Sequence, residues 1–143
     1  MLNNNFAISF TSYNLIDENG NYLDKVINSI KEINYEGYLK NTIIGMSTSM
    51  IDTEKTGVFE FVNIRTRQDT YLWITLLKRG LSAHGLNMTL ASYRVRNDSI
   101  SANKLNAAKR VWYLYYNLEN LGLLKSIYYF SFYVVNAIKK RIL

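Results

Sequence analysis

Apolar and polar positions alternate over residues 6–16, and Ala7-Ile8-Ser9-Phe10-Thr11 is rich in β-formers, so the period of two predicts a strand. Asp17-Glu18-Asn19-Gly20-Asn21 then predicts a turn, because Asn-Gly tolerates positive φ. Residues 22–30 read as a return strand or a loop, and 35–40 suit a short helix. Residues 41–52 read as a strand built on Ile43-Ile44 and Met50-Ile51. A polar turn follows at 53–57, and 58–64 reads as extended. Over 67–79 the period lengthens to that of a helix, with Leu72, Trp73, Leu76 and Leu77 as its apolar stripe. Thr66 is its expected N-cap, Asp69 follows three residues later, and Gly80 supplies a left-handed stop. Residues 86–95 return as strand. Ser99 or Ser101 is expected to cap a long helix reaching about residue 120, with Leu105, Ala108, Trp112 and Tyr115 on one face. Gly122 breaks it before a last helix. No repeat, linker or low-complexity stretch interrupts this alternation of strands and helices, so the fold class is α/β.

Composition narrows the picture. The chain has 143 residues, 48% hydrophobic and 20% charged, which suits one globular domain with a sizeable core and excludes a disordered tail. It has no cysteine, so disulfide scaffolds, zinc fingers and thiol enzymes are excluded. The single histidine, His84, has no second imidazole for a His-rich metal site and reads as an ordinary strand residue.

Charge is unevenly placed. Residues 1–103 hold ten Lys/Arg and ten Asp/Glu, whereas 104–143 hold seven Lys/Arg against Glu119 alone, so the tail carries the whole excess of +6. Its last helix joins an aromatic, apolar run to Lys139-Lys140-Arg141. That pattern favours an anionic lipid surface over nucleic acid, whose helices scatter bases along one face. Lys125, Ser126, Ser131 and Asn136 interrupt the run, which falls short of the ~20 apolar residues of a span. Met1-Leu2-Asn3-Asn4-Asn5 has neither the basic nor the long apolar region of a signal peptide. The expected location is cytoplasmic, with peripheral attachment to the inner face of the cell membrane.

Nucleotide-binding signatures are missing. No G-x-G-x-x-G, P-loop or Asp-x-Asp occurs, and Asp17, Asp24, Asp52, Asp69 and Asp98 stand singly.

A family nevertheless comes into view. The segment from Thr66 and Arg67-Gln68-Asp69 through Leu72-Trp73 to Lys78-Arg79-Gly80 resembles the Glu/Gln-Asp motif of family 2 glycosyltransferases. Three more segments agree in order. Ser9-Phe10-Thr11-Ser12-Tyr13 with Ile16-Asp17-Glu18-Asn19-Gly20 resembles the strand and turn after the family's Asp-x-Asp site. Asn41-Thr42-Ile43-Ile44-Gly45-Met46-Ser47-Thr48 resembles its acceptor-side strand, and Leu90 to Ser101, with Tyr93-Arg94-Val95-Arg96, resembles its late Tyr-Arg-x-His-x-x-Ser segment. The resemblance covers nearly the whole chain and is closest to bacterial enzymes of capsule, teichuronic acid or lipopolysaccharide synthesis.

The resemblance implies the C-terminal part of a GT-A fold over 1–103, followed by amphipathic basic helices over 104–143. It implies transfer of a sugar from a nucleotide sugar to the hydroxyl of a glycan or lipid-linked acceptor, with inversion. Asp69 matches the general base that takes the acceptor's proton. Spacing alone favours a helix cap for Asp69, the ordered segments favour the base, and one residue can do both. Arg67 and Gln68 share its motif as substrate-binding residues. Arg94, Arg96 and Ser99 fall where the family approaches the donor diphosphate, which suits an arginine fork; a strand-end charge pair with Asp98 explains the arginines equally. Arg96 stands where the family often has histidine. Gly45 and Ser47 fall where a sugar nears the backbone, although a buried strand with a bulge also explains them. The family uses a divalent cation, Mg or Mn, whose main ligands belong to a donor-binding half that would precede Met1. Two readings follow: a truncated transferase inactive alone, or a non-catalytic remnant that binds a membrane surface or a partner. Nucleic-acid binding rests on charge and aromatics alone.

Overall fold

The computed structural model describes residues 5–96 and 104–142. Asp98, Ser99 and Ser101 lie outside the described residues, as do the side chains of Lys140 and Arg141.

Strand β1 (Ile8–Ile16) is the axis of a five-stranded sheet, and its alternation buries Ile8, Phe10 and Ser12. The Asn-Gly turn forms as predicted: Asp17 Oδ1 accepts from the backbone N–H of Asn19 and Asn21, and Gly20 takes φ 94°. Hydrogen bonding, above all from the Asn21 side chain, holds the Asp17 carboxyl below the usual range. Strand β2 (Tyr22–Ile27) returns antiparallel to β1. A two-residue strand, β3 (Glu32–Ile33), leads into helix α1 (Tyr35–Lys40), whose N-cap Asn34 accepts from Gly37 N–H.

The strand expected over 41–52 is mostly absent. A 3₁₀ turn occupies Met46–Thr48, and only β4 (Ser49–Ile51) pairs with β1, against residues 8–10. The same edge of β1 is taken further on by β2, so Ile43 and Ile44 have no ladder to join, and Ile44 is buried as a core side chain instead. The polar turn at 53–57 is a single helical turn, α2 (Thr53–Thr56), capped by Asp52. Residues 58–64 form no strand.

Helix α3 (Gln68–Lys78) follows, and its buried face carries the predicted Leu72, Trp73, Leu76 and Leu77 together with Thr70 and Ile74. Gly80, at φ 88°, is the left-handed stop. The start differs from expectation. The N-cap is Arg67, not Thr66, and the first helical bond runs from Tyr71 N–H to Arg67 C=O.

Strand β5 (Ala83–Arg94) lies parallel to β1, a pairing that requires the long crossover through α1 and α3. The sheet order is β2-β1-β5-β3. The β1–β5 register slips around Ser12, where buried Ser12 Oγ accepts from Ser29 N–H. Gly85 permits the close passage of the preceding segment: a Cβ there would lie 2.0 Å from Ile30 C=O.

Helix α4 (Lys104–Tyr113) passes into a π-helical segment, Leu114–Leu118, and Gly122 at φ 75° precedes α5 (Leu123–Ile142). The predicted inward face of the first of these is corrected. Of the expected residues only Tyr115 is buried; Leu105 is 77% exposed, Ala108 and Trp112 are half-buried, and Ala107, Val111 and Leu114 are the other buried positions. Residues from both sides of position 103 share one hydrophobic cluster: Val111, Leu114 and Tyr115 lie in it with Trp73, Leu39 and Phe10.

Candidate functional site

Asp69 stands in the first turn of α3, where a carboxylate is favoured by the helix dipole. Its Oδ1 accepts the backbone N–H of Thr70 at 2.7 Å, which leaves Oδ2 outside that bond. Two residues earlier, Arg67 holds φ 68° and ψ 21°, the left-handed region that costs a side-chain-bearing residue roughly 1–2 kcal/mol. Strain of this kind gathers at functional sites. It also sets the angle at which Arg67-Gln68-Asp69 enters the helix, with Gln68 exposed and Asp69 half-buried.

Below this corner lie tyrosines that motif reasoning did not single out. Tyr38 of α1 is buried; burial, and then the charge of neighbouring Asp69, push its hydroxyl well above the ordinary tyrosine range. Tyr115 donates its hydroxyl hydrogen to Leu39 C=O at 2.6 Å, and burial raises it likewise. Tyr38 of α1, in one core with Tyr115 of the tail, thus forms the floor beside Asp69. The only advance signal was the placement of Tyr35 and Tyr38 three apart in a short helix.

The other expected site residues gather elsewhere. Arg94 pairs in register with Ile16 at the far end of β1, and its Nη1 donates to the carbonyls of Asp17 (3.1 Å) and Glu18 (2.6 Å). The next residue back, Tyr93, meets Tyr13 at 5.9 Å between ring centroids, and Gly45 lies against the same Tyr13 ring. Ser47 is exposed in the 3₁₀ turn beside Gly45, and Arg96 is exposed two residues beyond Arg94. The structure therefore forms two groups: Arg67, Gln68 and Asp69 at the start of α3, and Gly45, Ser47, Arg94 and Arg96 about the distal β1–β5 region. No hydrogen bond or ion pair among the described residues joins Asp69 to Arg94. Ser99 lies outside the described residues.

His84 stacks on Phe6, with centroids 3.6 Å apart, within the β5 ladder. Among the described residues no three His, Cys, Asp or Glu side chains converge, so these residues do not fit a metal ion on their own. Two surface clefts, of about 440 and 480 Å³, are lined by Asn34, Gly37 and Asn41 and by Asn14, Asp24 and Lys25 respectively; neither borders Asp69.

The distal sheet is also unusually apolar for an exposed surface. Tyr22, Val26, Leu86, Met88, Leu90 and Tyr93 are all exposed on β2 and β5. By the register Tyr22 and Val26 face one side of the sheet, and Leu86 and Tyr93 the other.

No family model matches the chain. Curated relatives do. The chain is 47% identical over 142 residues to TuaG of Bacillus subtilis (strain 168), a glycosyltransferase named for teichuronic acid biosynthesis; the match covers 99% of this chain and 56% of the relative. It is 33% identical over 141 residues to WfgD of Escherichia coli, named as a UDP-Glc:alpha-D-GlcNAc-diphosphoundecaprenol beta-1,3-glucosyltransferase, covering 98% of this chain and 54% of the relative. WfaP of Escherichia coli, with the same named activity, is 34% identical over 101 residues, 68% of this chain and 38% of the relative. The chain spans about half the length of the first two relatives it matches. It is a homologue of bacterial glycosyltransferases, and its mixed α/β sheet with C-terminal helices is consistent with part of such a fold.

Proposed function

We propose that these 143 residues form the acceptor-side portion of a glycosyltransferase of cell-surface polysaccharide synthesis, with Asp69 as its general base. The observation that carries the reading is the corner Arg67-Gln68-Asp69, a strained entry that sets a carboxylate at a helix N-terminus in a chain homologous to named glycosyltransferases. The acceptor hydroxyl is a poor nucleophile. As its oxygen attacks the anomeric carbon, Asp69 takes the proton, the bond from that carbon to the nucleoside diphosphate breaks, and the configuration inverts. The Thr70 N–H holds the carboxylate aimed before the reaction starts.

The nucleotide sugar, and the divalent cation expected with it, are to be held by residues outside these 143. The exposed apolar side chains of β2 and β5 support this, because they offer surface on which such a portion would pack. Arg94 and Arg96 are then placed to meet the donor's phosphates only at that junction. The acceptor is a hydroxyl of a glycan, free or carried on a lipid diphosphate as in the names of WfgD and WfaP.

The test joins residues 1–143 to the remaining half of the Bacillus subtilis relative. Transfer from a nucleotide sugar is expected from the joined protein and not from residues 1–143 alone. A folded joined protein that transfers nothing, while the intact relative does, would favour the non-catalytic remnant.

A further inference from the structure

Helix α5 is apolar on two sides. Its inward face packs Tyr129, Phe130 and Tyr133 against the core, with Ser126 fully buried and Asn136 Nδ2 donating to Lys40 C=O at 3.0 Å. Its outward face carries Leu124, Ile127, Tyr128, Phe132, Val135 and Ile138, spaced three and four apart and all at least 40% exposed, with Leu124 at 83%. The stripe from 124 to 138 is about 21 Å long at the helical rise.

Charge decides what covers it. Helix α5 has no Asp or Glu, and exposed Lys125 and Lys139 stand at either end of the stripe. Beside its middle, Lys40 Nζ lies 5.4 Å from the ring centroids of both Tyr128 and Phe132. A second copy laid antiparallel on this face would set Lys125 against Lys139, cation on cation, with no carboxylate on either helix to relieve it. The exposed apolar positions of β2 lack this bias, since Asp24 stands between Tyr22 and Val26. No described helix is long and apolar enough to cross a membrane. A helix with an apolar outer stripe and flanking lysines instead lies in the plane of an interface, its apolar side chains in the acyl region and its lysines at the headgroups.

We infer that the outward face of α5 docks on an anionic bilayer surface. The inference does not depend on the role of Asp69 and is tested without any sugar transfer. Purified residues 1–143 are floated with vesicles of phosphatidylglycerol and phosphatidylcholine, and with phosphatidylcholine alone, at low and high salt. Binding is expected to anionic vesicles, to weaken severalfold in high salt, and to be slight on phosphatidylcholine. The variant Leu124→Ser/Val135→Ser/Ile138→Ser, changed only at exposed positions, should lose about tenfold or more in vesicle binding with an unaltered circular dichroism spectrum. Lys125→Ser/Lys139→Ser should lose about fivefold or more. The inference is overturned if the parent does not float with anionic vesicles, if it floats equally with phosphatidylcholine alone, or if the apolar variant binds as well as the parent. Sedimentation showing a dimer that the same apolar variant abolishes, with no vesicle binding by the parent, would assign the face to a second copy.

Discussion

Lys78 Nζ lies 2.7 Å from Glu119 Oε1, joining the last turn of α3 to the segment before α5. The Glu119 side chain is 2% exposed and that of Lys78 58%, and Tyr35 donates its hydroxyl hydrogen to the same oxygen at 2.5 Å. The one acidic residue of the tail is therefore a buried clasp between α1, α3 and the segment before α5.

Replacing Glu119 by Ala leaves the Tyr35 hydroxyl without its acceptor in a partly buried site. The expected loss is about 1–3 kcal/mol in urea unfolding. Lys78→Met keeps that hydrogen bond but leaves the buried Glu119 side chain without its cation, so it too should destabilise, by about 1 kcal/mol or more. No measurable loss from either variant would contradict the clasp.

Arg67 supplies a second prediction. A left-handed backbone is relieved by glycine and aggravated by β-branching, so Arg67→Gly should be at least as stable as the parent and Arg67→Val less stable by about 1 kcal/mol or more. Thermal melts of both variants check this. Two indistinguishable melting temperatures would mean that the entry to α3 is not strained.

Alkaline pH should unfold the protein from the inside. Burial raises the hydroxyls of Tyr38, Tyr115 and Tyr35 above the ordinary value, with Asp69 adding to the effect at Tyr38 and Glu119 at Tyr35. In each case the folded value exceeds the unfolded one. Their contribution is then fully present below about pH 10 and is lost as pH rises through the folded values, since the unfolded chain releases protons first. Unfolding free energy measured in urea should be level up to about pH 9.5 and fall above it. A curve that stays level or rises beyond pH 10.5 would contradict the burial of these hydroxyls.

Much of the fold was legible because it rests on local rules. Alternation marked β1, Asn19-Gly20 marked the turn, and the stripe from Leu72 to Leu77 marked α3 and its buried face. Failures came where a neighbour decided. Ile43-Ile44 has strand composition, but the edge of β1 was already occupied by β4 and β2. The inward face of α4 was misread at Leu105, and the π segment from 114 to 118, which adds a residue to the turn, brings Leu114 and Tyr115 inward together. At the site, Arg67, Gln68 and Asp69 were visible as a motif because they are contiguous. The floor under Asp69 was not, because Tyr38 and Tyr115 are 77 positions apart and nothing local reports that they meet the same core.

Asp69→Asn, placed in the joined protein that transfers sugar, tests the catalytic assignment most directly. Asparagine keeps the size and can still accept the Thr70 N–H, so the helix start should survive and the melting temperature should hardly move. It cannot take the acceptor's proton. If Asp69 is the general base, the transfer rate falls ~10²–10⁴-fold with folding intact. Transfer at close to the parent rate would show that Asp69 serves only the helix.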